Sequence, residues 1–247
     1  MKVSIITVCF NSDKTIEDTL KSIQSQTYSD IEYIVVDGLS KDRTNEIVNE
    51  YRDVVSIHVS EKDNGLYDAM NKGIQLATGD IIGVLNSDDI LANNNTIQQL
   101  VNTIGCNDGI YGDIGFYSEH DFSDKKRHYS SKGFKKSKFA RGMMPAHPSF
   151  YARKSCYERV GLYRTDFKIA SDFDMVLRIF SLANTSFTYL EDEIVKMRLG
   201  GVSTSGFMSN YILNKEILES CQSNGIKANW FSIISKYPEK LMGYIFK

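Results

Sequence analysis

The chain has 247 residues, a length that suits one large domain or two small ones. Its formal net charge is −2 and 24% of its residues are charged, so there is no basic excess that would indicate a nucleic-acid partner. The four cysteines have neither a metal-binding spacing nor a pairing pattern, which is typical of free thiols in the cytoplasm, and no apolar run approaches the roughly 20 residues of a membrane-spanning helix.

The first ninety residues alternate between predicted strands and predicted helices. The strands are apolar and are predicted over Val3–Cys9, Tyr33–Asp37, Val55–Val59 and Asp80–Leu85. The segments between them carry apolar residues at helical spacing, for example Ile16, Leu20 and Ile23 in the first, which Asn11 or Ser12 is expected to cap. This alternation predicts a mostly parallel sheet with helices on both faces.

The pattern changes after Asp89. Apolar residues at helical spacing recur from Ile97 to Ile104. The later helices are predicted over Lys154–Gly161, Asp172–Ala183 and Tyr211–Cys221, and the later strands over Gly109–Tyr117, Arg127–Ser130, Phe187–Leu190 and Ile194–Leu199. Because no linker or repeat interrupts the chain, we expect a single α/β domain.

Carboxylates directly follow three of the predicted strands. Asp37 ends the second strand, Glu61 and Asp63 follow the third, and Asp88 and Asp89 follow the fourth. The carboxyl ends of parallel strands meet at one edge of a sheet, where open α/β sheets bind ligands. A nucleoside diphosphate would suit such an acidic edge, because its base or ribose can donate to Asp37 and its phosphates can share a hard divalent ion with Asp88. The alternative is that these residues only form Asp-rich turns.

The chain lacks the glycine-rich motifs of other nucleotide-binding proteins. No G-x-G-x-x-G follows the first strand and no P-loop is present, which disfavours a dinucleotide-dependent oxidoreductase and a P-loop NTPase. A nucleotidyltransferase would share the acidic metal edge, but we would expect a basic, glycine-rich triphosphate loop near the first strand. A non-catalytic carbohydrate-binding protein would keep the fold without the chemistry. Both classes stay open as alternatives.

Five segments are informative when they are taken together, and they are VSIITVCFN, QTYSDIEYIVVDG, DNGLYDAMNKGI, ATGDIIGVLNSDD and ASDFDMVLR. In this order they resemble the motifs of family 2 glycosyltransferases, over about the first 200 residues. The resemblance implies the GT-A fold, a Rossmann-like, mostly parallel central sheet flanked by helices in a single domain. Here that domain is expected over 1–225, with a nucleotide-sugar-binding half (1–89), an acceptor-binding half (90–225) and a C-terminal helical tail over 226–247.

The resemblance also implies the reaction and its partners. Such enzymes move a sugar from a nucleotide-diphosphate sugar, here expected to be a UDP-sugar, to an acceptor hydroxyl with inversion at the anomeric carbon. A divalent metal, Mn²⁺ or Mg²⁺, is the implied cofactor. The implied acceptor is a glycan or lipid-linked glycan in the assembly of a bacterial surface polysaccharide such as capsule, O-antigen or exopolysaccharide. A homodimer is left open.

Matching positions imply a pocket for the nucleotide. The residues implied to line it are Val8, Cys9 and Phe10 beside the base, Asp37 at the base or ribose, and Asp63 and Lys72 at its closing side. The second acid that the family often has next to Asp37 is replaced by Gly38.

The segment Asn86-Ser87-Asp88 matches a motif that is often Asp-x-Asp. The resemblance assigns Asp88 as the metal ligand. Asn86 replaces the first acid, so it can still bond the ribose but contributes no charge to metal binding. Ser87 is expected to contact the nucleotide sugar as part of the same segment.

Asp172 is the candidate general base. Phe173, Val176, Leu177 and Phe180 form a stripe that must face the core, and Asp172 lies at the start of their helix. Asp174 is two residues away and cannot share its face, so at most one of the two carboxylates points well into a site. An acidic pair stands at this place in the family, which favours catalysis. The alternative is that Asp172 only complements the helix dipole.

Two later residues have open interpretations. Arg198 and the loop Gly200–Ser203 could bind the diphosphate, or they could form a glycine turn beside a surface arginine. His147 lies between two prolines, where it could contact the acceptor or have only a structural role.

A basic stretch and the tail suggest a membrane surface. The basic residues are Lys125, Lys126, Arg127, Lys132, Lys135, Lys136 and Lys138, with Phe134 and Phe139 among them. They could form a solvated surface, or they could attract anionic lipid head groups or a lipid-pyrophosphate acceptor. The apolar tail from Trp230 to Phe246 could pack on the domain or lie in a membrane interface. We expect a cytoplasmic protein and leave open its peripheral association with the inner face of the cytoplasmic membrane.

Overall fold

The computed structural model describes residues 1–200 and 207–237. The strands are β1 Val3–Cys9, β2 Ile31–Asp37, β3 Ile57–Ser60, β4 Ile81–Val84, β5 Ile90–Leu91, β6 Gly109–Ser118, β7 Asp121–Tyr129, β8 Tyr151–Arg153 and β9 Phe187–Arg198. The α-helices are α1 Ile16–Gln24, α2 Thr44–Glu50, α3 Leu66–Leu76, α4 Thr96–Ile104, α5 Lys154–Val160, α6 Ser171–Ser181, α7 Phe207–Ser223 and α8 Trp230–Ile234. Two 3₁₀ turns cover Lys136–Arg141 and His147–Ser149.

The strands form one sheet in the order β3-β2-β1-β4-β8-β6-β9-β5, and β7 pairs with β6 outside this order. The first four strands run parallel, as the alternating sequence pattern predicts. The second half is mixed, because β8 runs antiparallel to β4 and β6 while β9 runs parallel to β6. In the first half, Cys9 lies opposite Asp37, so β1 and β2 end at the same level.

Helices cover both faces of the sheet. One face packs under α3 and α6, where Ile6, Met70 and Phe173 are buried together. A Cβ atom on Gly73 would lie 2.3 Å from Cγ2 of Ile6, so only glycine allows α3 to approach β1 this closely. The other face packs under α1 and α4, with Leu20 and Leu100 buried. The prediction of helices on both sides is confirmed.

Several elements differ from their predicted bounds. Phe187–Arg198 is one continuous strand rather than two, because the polar residues in its middle still pair with β6 across a register shift. β7 begins at Asp121, well before the predicted Arg127, and the two-residue β5 is an additional strand. Neither Asn11 nor Ser12 caps α1 with its side chain, since the helix begins after Thr15 and the backbone carbonyl of Ser12 accepts the first hydrogen bonds.

The described part of the tail packs on the domain. Ile233 is fully buried, Trp230 stacks on Tyr211 with ring centroids 5.8 Å apart, and Arg141 donates to Ser235. The rest of the predicted tail, 238–247, and the loop residues 201–203 lie outside the described residues. Among those that are described, no helix is both long and apolar enough to cross a membrane.

Candidate active site

The carboxyl ends of β1, β2 and β4 are joined by hydrogen bonds. The N–H of Gly38 donates to the carbonyl of Cys9 at 2.9 Å, and the N–H of Leu85 donates to the carbonyl of Ile6 at 2.9 Å. Just beyond these strands, the hydroxyl groups of Ser12 and Ser87 lie 3.0 Å apart. The residues that follow the three strands therefore adjoin one another at one edge of the sheet.

Asp37 lies below this edge and is fully buried. Its carboxylate accepts hydrogen bonds from the backbone and hydroxyl of Ser40, from Asn45 at 2.8 Å and from Ser60 at 2.6 Å. Burial raises the pKa of Asp37, but these hydrogen bonds outweigh it and hold the pKa below its ordinary value. Asp37 is thus ionised and holds the ends of β2 and β3 and the turn at Ser40 in place.

The three residues predicted to border the nucleotide base, Val8, Cys9 and Phe10, differ in their solvent exposure. Val8 and Cys9 are buried in the two core layers, and burial raises the pKa of Cys9 far above that of a reactive thiol. Phe10 is 61% exposed, so among the three it is the one whose ring is available to a ligand. A ring edge carbon of Phe10 lies 3.4 Å from the position that a Cβ atom on Gly38 would occupy.

Asp63 also lies beside Gly38, and Lys72 supports the loop that carries Asp63. A Cβ atom on Gly38 would lie 2.5 Å from Oδ2 of Asp63. The other carboxylate oxygen of Asp63 accepts from the N–H of Gly65 at 2.9 Å, which fixes the turn into α3. Lys72 donates to the carbonyl of Lys62 at 2.9 Å and forms an ion pair with Glu61 at 2.8 Å. Lys72 therefore holds the loop that carries Asp63.

The two adjacent acids after β4 have different surroundings. Asp89 is fully buried and accepts from Asn86 Nδ2 at 3.0 Å and from the N–H of Arg198 at 3.2 Å. Burial and the neighbouring charge of Asp88 raise the pKa of Asp89. Asp88 is only partly buried, and burial raises its pKa as well. Asp89 is thus a structural acid that ties β4 to β9, while Asp88 is the acid that remains accessible.

Arg198 lies beside this pair. Its guanidinium donates to the backbone carbonyls of Asp88, at 3.3 Å, and Glu119, and it forms an ion pair with Asp18 at 2.7 Å. It also lies over the ring of Phe122, 4.5 Å from the centroid. The structure therefore brings Arg198 to the predicted metal edge, with an acidic partner already in place.

The residues at this edge fit a divalent cation that is shared with a substrate. Asp88 offers the hard oxygen ligands that Mg²⁺ and Mn²⁺ prefer, and it is the partly exposed acid of the pair. Within 1–200 and 207–237, no group of three or more His, Cys, Asp or Glu side chains could hold a metal ion alone. A cation at Asp88 would therefore take its other ligands from water and from phosphate oxygens, as Mg²⁺ commonly does.

Asp172 and Asp174, at the start of α6, have different roles in the structure. Asp174 is fully buried, pairs with Arg178 at 2.7 Å and accepts from the hydroxyl of Ser220 at 2.8 Å. Asp172 is partly exposed, and one of its oxygens accepts from the N–H of Phe173 at 2.6 Å. Burial raises the pKa of Asp172 to about 6, and the negative charge of Glu216 adds to the rise. Asp172 thus has the properties of a general base, and Asp174 those of a structural ion-pair partner.

Aromatic residues surround the start of α6. Tyr67 donates to the carbonyl of Ile169 at 2.5 Å and stacks on Tyr163 with ring centroids 5.9 Å apart. His147, the candidate acceptor contact with a structural role as its alternative, is only 8% exposed, and its Nε2 lies 2.7 Å from the hydroxyl of Tyr163. Burial lowers the pKa of His147 to about 4, so the imidazole is neutral at physiological pH. The structure therefore places His147 behind Tyr163 instead of on the surface.

Sequence reasoning did not identify Tyr67, Tyr163 or Glu216. Tyr67 lies within DNGLYDAMNKGI, so its motif was recognised but its neighbour Ile169, 102 residues later, was not. Glu216 lies on α7, in a segment with no motif. Only the tertiary structure brings these residues to Asp172.

Comparison with known proteins agrees with this geometry. Residues 4–160 match the model of the family described as Glycosyl transferase family 2. The chain is 29% identical over 223 residues to a PGL/p-HBAD biosynthesis glycosyltransferase of Mycobacterium tuberculosis, covering 87% of this chain and 82% of the relative. It is 32% identical over 178 residues to an uncharacterized glycosyltransferase of the same species, covering 71% of this chain and 68% of the relative.

Solved structures show the same fold at lower sequence identity. The S. aureus TarS 1–349 complex with UDP-GlcNAc has a TM-score of 0.67 and 20% identity, covering 89% of this chain and 66% of that one. The mannosyltransferase PcManGT from Pyrobaculum calidifontis, in complex with GDP-Man and Mn²⁺, has a TM-score of 0.66 and 19% identity, covering 92% and 66%. This chain spans just under two thirds of either solved chain, and the likeness confirms the predicted GT-A fold.

The family match decides between the classes that the sequence left open. It covers more than half of the chain and includes the residues after β1, β2, β3 and β4. A nucleotidyltransferase and a non-catalytic binding protein are therefore set aside. The chain belongs to glycosyl transferase family 2 and is a glycosyltransferase of the GT-A fold.

Proposed function

We propose that this enzyme transfers a sugar from a nucleotide-diphosphate sugar to an acceptor hydroxyl with inversion at the anomeric carbon. The observation that carries the proposal is Asp172, a partly exposed carboxylate at the start of α6 whose pKa is raised to about 6. A carboxylate with this pKa is ionised at neutral pH and still basic enough to accept a proton from a hydroxyl group. Direct attack by that hydroxyl inverts the configuration of the sugar.

The donor is proposed to lie along the edge formed by the ends of β1, β2 and β4. Phe10 and Asp63, which adjoin the same position beside Gly38, contact the base or ribose, and Asp37 and Lys72 hold the loops that carry this pocket. Asn86 and Ser87 bond the ribose or the first phosphate, and Asp88 would hold a divalent cation that the diphosphate shares. A uridine nucleotide is the proposed donor nucleotide, since UDP and UDP-GlcNAc are bound by the structurally similar TarS.

The cation and Arg198 are both proposed to place positive charge beside the leaving diphosphate. A divalent cation held at Asp88 would supply positive charge beside the leaving diphosphate. Arg198, next to Asp88, adds a second cation on exchanging Asp18 for a phosphate oxygen. Asp172 meanwhile removes the proton from the acceptor hydroxyl, and the buried, stacked rings of Tyr67 and Tyr163 support the start of α6 from inside the domain.

The acceptor is proposed to be a glycan or lipid-linked glycan of the bacterial cell surface. The family and the PGL/p-HBAD biosynthesis relative support a role in envelope glycoconjugate assembly. An acceptor carried on a lipid would require the enzyme to reach the membrane surface. An apolar surface with basic residues beside it would allow this.

Two predicted membrane features have unequal support. The basic residues Lys125 and Lys132 form ion pairs with Glu193 and Glu191, which neutralise these two charges. Phe139 is buried in the core, so its ring is not available to a membrane. By contrast, α7 and α8 carry exposed apolar side chains, among which Phe231 is 87% exposed. These exposed residues are Met208, Tyr211, Trp230, Phe231 and Ile234. The 3₁₀ turn that begins at the exposed Lys136 packs against α8, which adds positive charge to the same surface.

We propose that this α7–α8 surface associates with anionic lipid. Sedimentation with vesicles of phosphatidylcholine and phosphatidylglycerol at low salt is expected to bring down the wild type. Phe231→Ser should bind less, whereas Leu162→Ser, which changes an exposed leucine before α6, should bind like the wild type. Equal binding by both variants, or no sedimentation of the wild type, would rule out this surface.

The transferase proposal is tested by the release of nucleoside diphosphate. Purified enzyme is incubated with UDP-glucose, UDP-N-acetylglucosamine or GDP-mannose, with Mn²⁺ or with EDTA. We expect slow, Mn²⁺-dependent hydrolysis of one of these donors, and faster release when an acceptor glycan is added. Asp172→Asn should bind that donor normally by calorimetry yet release no product. Lost donor affinity in Asp172→Asn would contradict the proposed role of Asp172.

A further inference from the structure

Glu216 binds three consecutive backbone N–H groups. Its Oε1 accepts from Lys168 at 2.8 Å, and its Oε2 accepts from Ile169 and Ala170 at 2.9 Å each. The carboxylate is only 8% exposed and reaches this turn from α7. Hydrogen bonds from N–H groups to an ionised carboxylate are stronger than those between neutral groups. This contact is therefore a firm connection between two segments that are distant in the sequence.

The turn that Glu216 holds leads directly into α6. Ser171 is the first residue of α6, and Asp172 is the second. The same turn is held from the opposite side, because the hydroxyl of Tyr67 on α3 donates to the carbonyl of Ile169 at 2.5 Å. The N–H groups are thus fixed by α7 and a carbonyl by α3. Displacing Glu216 would move the backbone on which Asp172 stands.

The charges around Asp172 come from several elements. Glu216 on α7 is the acid whose charge acts on Asp172, and Tyr67 on α3 and the buried Tyr163, which follows α5, are the neutral titratable groups that face it. Within α6, Asp174 and Arg178 pair with each other. His147 reaches this group only through Tyr163 and is neutral. Glu216 therefore provides the fixed negative charge behind Asp172.

We propose that Glu216 is a positioning residue that fixes the start of α6 and keeps a negative charge behind the general base Asp172. The inference rests on the proposed function of Asp172. A negative charge close to a carboxylate favours the protonated form and so makes the carboxylate a stronger base. Glu216 acts on both the place and the basicity of Asp172, without touching the substrate.

Three variants of α7 separate these effects. Glu216→Gln removes the charge and leaves one oxygen to accept from three N–H groups. Glu216→Asp keeps the charge but shortens the side chain by one methylene. Glu219→Gln is the matched control, because Glu219 lies on the same helix with its side chain about half exposed and pairs with Arg164 at 2.8 Å. Each is assayed as the full chain with Mn²⁺ and with the one donor, of UDP-glucose, UDP-N-acetylglucosamine and GDP-mannose, that the wild type hydrolyses fastest.

In Glu216→Gln we expect kcat to fall by roughly 10- to 100-fold with little change in donor Kd, as for a misplaced catalytic group. The acidic limb of its kcat–pH profile should move to lower pH, and ¹³C NMR should show Asp172 titrating at lower pH. Glu216→Asp should lose kcat but keep the wild-type limb, and Glu219→Gln should match the wild type throughout. If Glu216→Gln does not fold, Glu216→Asp still tests the positioning role through kcat.

The outcomes separate this inference from the proposed function. If Asp172→Asn is inactive while kcat and the pH profile of Glu216→Gln equal those of the wild type, Glu216 has no role in positioning the base. A loss of thermal stability alone, with unchanged kcat and profile, would likewise reduce Glu216 to a structural residue. Full activity in Asp172→Asn would instead refute the proposed function itself.

Discussion

The carboxylate of Asp63 occupies the space that a side chain at position 38 would need, since a Cβ atom on Gly38 would lie 2.5 Å from Oδ2 of Asp63. A family member with a second acid beside Asp37 could not place Asp63 in the same way. This chain has glycine there and presents an acid from the loop after β3 instead. We infer that Asp63 contacts the nucleotide in place of the second acid that the family often has next to Asp37.

Adding a methyl group at position 38 should therefore weaken donor binding. In Gly38→Ala the new Cβ atom displaces the Asp63 carboxylate, the end of a flexible side chain, which rotates away and loses its hydrogen bond from the N–H of Gly65. We expect the donor Kd to rise about tenfold, which corresponds to ~1.4 kcal/mol, as measured by calorimetry with Mn²⁺.

A double-mutant cycle with Asp63→Asn identifies the cause. If Gly38→Ala acts through Asp63, the double variant should bind donor no more weakly than Asp63→Asn alone. Additive losses would mean that Gly38 and Asp63 contribute independently, and the inferred substitution of one acid for another would be wrong.

The pH dependence of turnover should report Asp172. Burial raises its pKa to about 6, and the base must be ionised to accept a proton. We expect kcat to be constant at neutral pH and to fall as the pH drops below about 6, tenfold for each further unit. A profile of kcat against pH under donor saturation measures this. An acidic limb near pH 4, the range of an ordinary aspartate, would argue against a base whose pKa is raised by its surroundings.

The same burial should make the ionised carboxylate of Asp172 destabilise the folded state. Its pKa is higher in the folded state than its ordinary value of 3.8, so the folded state disfavours the charged form, and stability falls as the pH rises from about 4 through about 6. At neutral pH we expect Asp172→Asn to be more stable by on the order of 2 kcal/mol. Urea unfolding at pH values on both sides of this window measures the gain. A gain that persists below the window would have another cause.

The pKa of Glu32, at the opposite end of β2 from Asp37, is shifted in the opposite direction from that of Asp172. Glu32 is buried between Lys2, Ser4 and Thr78, and although burial opposes the change, their hydrogen bonds lower its pKa to about 2. Its stabilisation is therefore complete above about pH 4.5, the ordinary pKa, and is lost as the pH falls through about 2.

Glu32→Gln should accordingly lower the free energy of unfolding by about 2–3 kcal/mol at neutral pH. The deficit should shrink as the pH falls below about 4. Urea titrations of the variant and of Glu17→Gln, which changes an exposed glutamate on α1, provide the comparison. A constant deficit at every pH would show that the loss does not come from the ionised carboxylate.

The strand pattern of the first half could be predicted from sequence because each element is locally consistent. β1 covers Val3–Cys9 as predicted, since every residue in it is apolar or small and buried on both faces. β9 was divided in two because Glu191 and Asp192 interrupt its apolar pattern, and only the pairing with β6 keeps it continuous. The two-residue β5 has no local signal, because its partner β9 lies about a hundred residues later.

In the candidate site, too, some features could be predicted from sequence motifs and others depend on the tertiary structure. Asp88 and Asp172 could be singled out because motifs carry them, and the structure makes each the accessible member of its acidic pair. Their roles remain proposals. The burial of side chains could not be predicted from the sequence. His147 has the sequence surroundings of a loop residue but lies behind Tyr163. Asp37 is enclosed by hydrogen-bond donors from three segments.

The cation site can be tested without turnover. Asp88→Asn should bind donor with the same affinity in Mn²⁺ as in EDTA, whereas the wild type should bind more tightly in Mn²⁺. Asp80→Asn is the matched control, because Asp80 is an exposed acid just before the opposite end of β4. A Mn²⁺ effect that survives in Asp88→Asn would move the cation elsewhere.

The most direct test of the proposed reaction is a crystal structure with Mn²⁺ and the donor that the enzyme hydrolyses. We predict the pyrophosphate and cation at Asp88, the base or ribose beside Phe10 and Asp63, and the anomeric carbon facing Asp172 with room for one hydroxyl group between them. A donor bound with its anomeric carbon turned away from Asp172, or with its phosphates remote from Asp88, would contradict the proposed reaction.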